Sequence, residues 1–179
     1  TYPHTPAPTP TVVLPTSEQP RLVTTKSSLY CAGYIQHERL PRMPEIVGAE
    51  EEQEQRKYSD GDFVYLNAGS QQGIKEGQTF QIIRPRGDVK GVHKTKSGFI
   101  GTYVQDVGQL QVFKVRENTS AAQITFACDH ILLGDLLAPV PDRESPLQRA
   151  EESLDRFADP SGKQHGRLMM AKDGREMVT

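Results

Sequence analysis

GDFVYLNAGSQQGIKEGQTFQIIRP, residues 61–85, is the stretch whose reading decides the fold class. Gly61-Asp62 leads into Phe63-Val64-Tyr65-Leu66, aromatic and branched residues of the kind that fill strands. Gly69, Gly73 and Gly77 then punctuate a polar segment around a single apolar residue, Ile74, and Thr79 to Arg84 resumes the strand-like composition before Pro85. Glycines so spaced supply positive φ or close backbone approach at turns. The stretch therefore reads as two short strands joined by a glycine-bounded turn, with Ile74 capping one end of a small barrel.

Outward from this pair the same grammar continues. Strands are expected at 29–35, 62–67, 79–84, 98–104, 110–116 and 121–128, with a closing apolar stretch at 131–140. Turn residues bound them, among them Gly87-Asp88, Gly108 and Asn118. In 109–116, Leu110 and Val112 compete with Phe113 and Val115 for the inner face. The spacing predicts an all-β fold, a small antiparallel barrel or sandwich over residues 26–141. Its core is expected from Phe63, Tyr65, Leu66, Phe80, Ile82, Ile100, Val112, Val115, Ile124 and Phe126. Residues 50–54 carry four carboxylates in five positions, which repel one another and read as a solvated loop.

The two ends have a different composition. Residues 1–25 hold six prolines and seven threonines with no apolar periodicity, the pattern of an extended polyproline-like spacer. The chain opens on Thr1, so an upstream segment such as a signal peptide is expected to have been cleaved or left out; a tail on a cytosolic protein is the alternative. At 142–162 a linker and one helix are expected. Ser145-Pro146-Leu147-Gln148 forms a capping box, and Leu147, Ala150, Leu154 and Phe157 make an amphipathic stripe suited to the barrel or to a partner subunit. Residues 163–179 read as a terminal β-hairpin turning at Asp173-Gly174.

Composition excludes several functions. In 179 residues, 21 Lys and Arg face 23 Asp and Glu, a net charge of -2, without the basic excess of a nucleic-acid binder. No run approaches the roughly 18 apolar residues of a transmembrane helix. Neither a G-x-x-x-x-G-K loop nor a G-x-S-x-G elbow is present. The five histidines lack metal-ligand spacing, and neither Cys31 nor Cys128 has a C-x-x-C neighbour, so no metal or other cofactor is expected. Cys128 and His130 share a strand face without a group to orient them as a nucleophile pair. Asp60, Asp62 and Asp135 sit at turns, where Asp bonds its own backbone. Arg86-Gly87-Asp88 reads as a turn, and Lys90, His93, Lys94 and Lys96 as a solvated loop. A non-enzyme is expected.

The order Gly61-Asp62, strand, Gly69-Ser70 to Gly73-Ile74 and Gly77, strand, Arg84-Pro85, then Ile100-Gly101 to Val115 and Gly134-Asp135, resembles a group of exported bacterial envelope proteins. These often carry a LysM peptidoglycan-binding domain elsewhere in the chain. A weaker likeness runs to the C-terminal domain of flagellar assembly protein T. The resemblance covers residues 29–140 and brings no catalytic residues; the LysM motif itself is not in this sequence. Residues 166–178 look like the entry to a second such module, cut short, so the chain is expected to be a fragment. In an exported protein an even cysteine count favours a Cys31–Cys128 disulfide, the alternative being two buried thiols. The resemblance implies a periplasmic or cell-surface module that docks or spaces other envelope proteins within a larger assembly. Peptidoglycan or polysaccharide binding is the alternative, disfavoured because Trp is absent and the six Tyr fall mostly at core-like positions.

Overall fold

The computed structural model describes residues 24–90, 98–145, 157 and 162. Seven strands form one antiparallel sheet: β1 Tyr34–Gln36, β2 Ile46–Ala49, β3 Phe63–Leu66, β4 Thr79–Lys90, β5 Phe99–Val115, β6 Ser120–Ala127 and β7 Leu136–Pro139. Their order is β2-β3-β6-β5-β4-β7, and β1 pairs with β5 off this path. The end strands β2 and β7 approach each other at a bridge between Glu45 and Leu136. There Ile46 N donates to Asp135 O at 3.0 Å, Gly134 N to Ile46 O at 2.7 Å and Leu137 N to Pro44 O at 2.8 Å. Beyond that bridge no ladder joins the two ends among the described residues. The expected all-β antiparallel module is present, as one sheet whose ends touch at a single bridge among the described residues.

Two strands are longer than the turn signals suggest. The segments expected at 98–104 and 110–116 are one strand, β5, of 17 residues. Gly108 lies inside it, where a Cβ would stand 2.4 Å from the Phe126 carbonyl oxygen. That glycine serves close approach between β5 and β6 and makes no turn. β4 likewise runs on through Pro85 to Lys90, and the ladder shifts register between Pro85 and Gly87. Proline cannot donate to a ladder, and a bulge is where a strand tolerates it. Arg86-Gly87-Asp88, expected as a turn, is therefore strand, with Gly87 at φ 125°.

The first expected strand, 29–35, is largely replaced. Residues Lys26–Tyr30 form one helical turn, capped by Thr25, whose Oγ1 accepts from Ser28 N at 3.2 Å. Gly33 at φ 70° then redirects the chain into the short β1. Side-chain satisfaction of a free N–H outweighed strand propensity here.

The core is aliphatic. Ile46, Val64, Leu66, Ile82, Leu110, Val112 and Ile124 are fully or almost fully buried, and Ile74 and Phe80 join them. Phe63 and Tyr65, expected inside, face outward at 37% and 45% exposure. The register sets Leu66 opposite Ile46 and Val64 opposite Ala122, all buried, so the aromatics of β3 take the other face. Ile100, Val115 and Phe126 are only half-buried, with Val115 packed on the core's rim. In β5 the competition resolves to Leu110 and Val112 inside, Phe113 outside. Residues 50–54 form an exposed turn as expected, and the β5–β6 connection turns at Asn118, with Arg116 N donating to Thr119 O at 2.8 Å.

No helix among the described residues is long and apolar enough to cross a membrane. The N-terminal spacer up to residue 23 lies outside the described residues. So do the helix expected at 146–157, apart from Phe157, and the hairpin expected at 163–179, together with His93, Lys94 and Lys96.

Candidate functional site

Residues 24–36 strap across β4 and β5 and are held there covalently and by polar contacts. Cys31 and Cys128 form a disulfide with 5.5 Å between their Cα atoms. Neither lies in a strand: Cys31 caps the helical turn and Cys128 follows β6. Beneath the strap runs a buried polar seam of Gln81, Asp106 and Gln109. Gln109 Nε2 donates to Gln81 Oε1 at 3.0 Å, and Gln81 Nε2 donates to the Tyr30 carbonyl at 3.3 Å. Asp106 Oδ2 accepts from Gly33 N and from Arg143 Nη1, both at 3.0 Å. Arg143 also donates to the Leu29 carbonyl at 2.8 Å and lies 5.7 Å from the Tyr30 ring centre. Burial, then the Asp106 charge, pushes the Tyr34 hydroxyl above its ordinary pKa, with Arg143 opposing.

A second buried cluster locks β4 to the β6–β7 connection. The Arg84 guanidinium forks onto Asp135, Nε to Oδ1 at 2.6 Å and Nη2 to Oδ2 at 2.7 Å, and donates to the His130 carbonyl at 2.8 Å. Asp135 also makes the turn contact its position suggests, accepting from Leu132 N at 2.8 Å, but it is buried and ion-paired. Its hydrogen bond to Asp135 raises the pKa of Arg84 against the opposing effect of burial. Asp129, half-exposed nearby, is pushed up by burial and pulled down harder by hydrogen bonds from His130 N and Gln105 Nε2 and by Arg84 and Arg86, so its pKa is lowered. Asp62 keeps the local role read for it, accepting from Ser59 N at 2.9 Å.

These clusters hold the fold together. The Cys128 sulfur is bound in the disulfide and offers no thiolate beside His130. Among the described residues no group of three or more His, Cys, Asp or Glu side chains is placed to hold a metal.

The surface that stands out is the outer face of β2, β3, β6 and β5. Val47, Phe63, Tyr65 and Phe113 are exposed there, at 48%, 37%, 45% and 51%. Register places Phe63 opposite Gln123 and Tyr65 opposite Ala121. A bulge between Val112 and Lys114 turns Phe113 outward, and its ring meets Phe63 edge-on, centres 5.4 Å apart and planes at 78°. The acidic turn borders this face. Glu50 N donates to the Phe63 carbonyl at 3.1 Å, and Glu50, Glu51, Asp62, Tyr58 and Phe63 line one cleft. A Cβ on Gly48 would stand 3.3 Å from Glu52 Oε2 and 3.6 Å from Tyr65 Cδ2. The Glu52 carboxylate therefore lies over the bare glycine beside the Tyr65 ring. Tyr58, buried behind the turn, donates to the Gln55 carbonyl at 3.0 Å; burial first, then Glu52 and Asp62, raises its pKa.

The sequence reading puts Phe63 and Tyr65 in the core and leaves Phe113 competing for the inner face, and so misses this surface. The available signal was that Phe63 to Leu66 alternate aromatic with aliphatic, and only one set can point inward. Of the residues singled out beforehand, Cys31 and Cys128 are brought together; Leu147, Ala150 and Leu154 lie outside the described residues, and Phe157 is described without the rest of its stripe. Comparison with family models, with curated proteins and with solved structures finds no match to this chain.

Proposed function

We propose that this chain is a non-catalytic interaction module of the bacterial cell envelope, docking or spacing other components, and that it docks through the face bearing Phe63, Tyr65 and Phe113. The exposed aromatic face carries this reading. Aromatic side chains bury much area at small entropic cost and are enriched in the centres of protein interfaces. The disulfide fits an oxidising compartment, as export to the periplasm or cell surface requires. The likeness to LysM-associated envelope modules, and more weakly to the flagellar assembly protein T domain, supplies the setting. The bridged sheet suits a small barrel, and the stripe Leu147, Ala150, Leu154, Phe157 would give a second contact within a larger assembly.

The test is retention of the exported chain in the envelope fraction of cells. Wild type should fractionate with the envelope, and the triple substitution F63A/Y65A/F113A should release it while its circular dichroism and melting temperature stay close to wild type. Equal retention of both forms refutes docking through this face.

Direct binding of peptidoglycan or another polysaccharide is the second reading, and the outward turn of Phe63 and Tyr65 now favours it more than their core assignment did. Co-sedimentation with insoluble peptidoglycan that disappears in the same triple variant would establish it.

A further inference from the structure

Resting on the docking reading above, we infer that the partner laid across the Phe63–Tyr65–Phe113 face is a basic peptide segment, whose Arg or Lys side chains sit between the rings and the carboxylates of the neighbouring turn. Segment 50–62 carries six carboxylates, Glu50, Glu51, Glu52, Glu54, Asp60 and Asp62, against Arg56 and Lys57. Among the described residues none of the six is in an ion pair. Glu52 leans over Gly48 beside Tyr65, and Glu50 and Asp62 share a cleft with Phe63, so negative charge and aromatic surface adjoin at two places. A guanidinium answers both: it stacks on a ring and forks onto a carboxylate.

The same geometry disfavours other occupants. Phe63 and Phe113 stand at 78° to each other, so they present no common plane on which successive sugar rings could stack. A polyanion, whether nucleic acid or a carboxylated glycan, would meet the carboxylates of the turn and be repelled.

The experiment is calorimetric titration of the full chain with three probes. These are an end-blocked Arg-Gly-Ser repeat peptide, the same peptide with Glu in place of Arg, and a soluble N-acetylglucosamine oligomer. The Arg peptide should bind, more weakly as salt is raised, and the Glu peptide should not. E50Q/E52Q, both at exposed positions, should weaken the Arg peptide roughly tenfold, the scale of one charge-assisted contact, with an unchanged circular dichroism spectrum; F113A should weaken it as well. Equal binding of both peptides, binding indifferent to E50Q/E52Q, or failure of the Arg peptide to bind each overturns the basic-partner inference. If the Arg peptide fails while envelope retention still depends on Phe63, Tyr65 and Phe113, docking stands and only the partner's chemistry is wrong. If the triple variant is retained like wild type, docking itself has failed.

Discussion

At the scale of single residues, Arg84 and Asp135 are the most consequential pair. Their side chains are 13% and 3% exposed, and the fork between them joins positions 51 residues apart. Removing one partner strands a buried charge, which typically costs about 3–5 kcal/mol. Arg84→Met should therefore lower the free energy of urea unfolding by an amount on that order. The half-exposed Arg86–Asp129 pair, 3.6 Å apart, is screened by solvent, and Arg86→Ala should change stability by under about 1 kcal/mol. Equal effects of the two substitutions would contradict this ranking. Arg84-Pro85 reads in the sequence as the end of a strand, and Gly134-Asp135 as a second Gly-Asp set between apolar residues. Their pairing was not, because no local pattern encodes a contact across the sheet.

Tyr58 gives the fold a dependence on alkaline pH. Its pKa is raised in the folded state, chiefly by burial, so the unfolded chain ionises first, near pH 10. The stability this phenol contributes is complete below that pH and is lost as pH rises through the folded-state value. Tyr34, raised in the same direction, adds to the effect. Urea midpoints measured from about pH 8 to about pH 11 should fall at the alkaline end, and Tyr58→Phe should flatten the fall. An unchanged slope in Tyr58→Phe would assign the alkaline loss elsewhere.

At the scale of elements, the strap is the part whose stability depends least on apolar burial. No residue of its helical turn is buried, and β1 is three residues long. It stays because Gly101 lets β1 approach β5: a Cβ there would stand 2.5 Å from the Gln36 carbonyl oxygen and 2.7 Å from Ile35 Cγ2. Gly101→Ala should lift β1, raising hydrogen exchange at Ile35 and Gln36 while leaving the β5–β6 ladder protected. Reduction of Cys31–Cys128, which span 97 positions, should lower the melting temperature with little change in far-ultraviolet circular dichroism. The chain-entropy scale for so long a loop is roughly 4.7 kcal/mol. A melting temperature insensitive to reductant would show that the polar seam alone holds the strap. Alternation and glycine spacing made most strands legible, whereas strand length was not. Pro85, Gly87 and Gly108 look like stops in a linear reading, but in the sheet they are bulges and close approaches that a neighbouring strand accommodates.

At the scale of the whole molecule, the meeting of β2 and β7 decides how the sheet opens. Ile46 in β2, Leu137 in β7 and Gly134 just before β7 donate across that seam although β2 and β7 end the path. Their amides should exchange with solvent about as slowly as those of β5 and β6, whereas fraying ends would exchange far faster. The all-β class followed from composition and spacing. Which face of β3 turned inward did not, since Phe63, Val64, Tyr65 and Leu66 are all apolar and only their opposite partners, Ile46 and Ala122, break the tie.

The link between Cys31 and Cys128 also governs how the chain carries mechanical load. Tension drawn through the N-terminal segment reaches Cys31 and passes through the sulfur bridge to Cys128, bypassing β1 to β6, which lie between them. Those 97 positions are removed from the extensible contour, a length of roughly 320–350 Å at 3.3–3.6 Å per residue. A chain pulled by its ends under oxidising conditions stretches only outside this loop, so the aromatic face on β3 and β5 keeps its shape under force that would unravel the reduced protein.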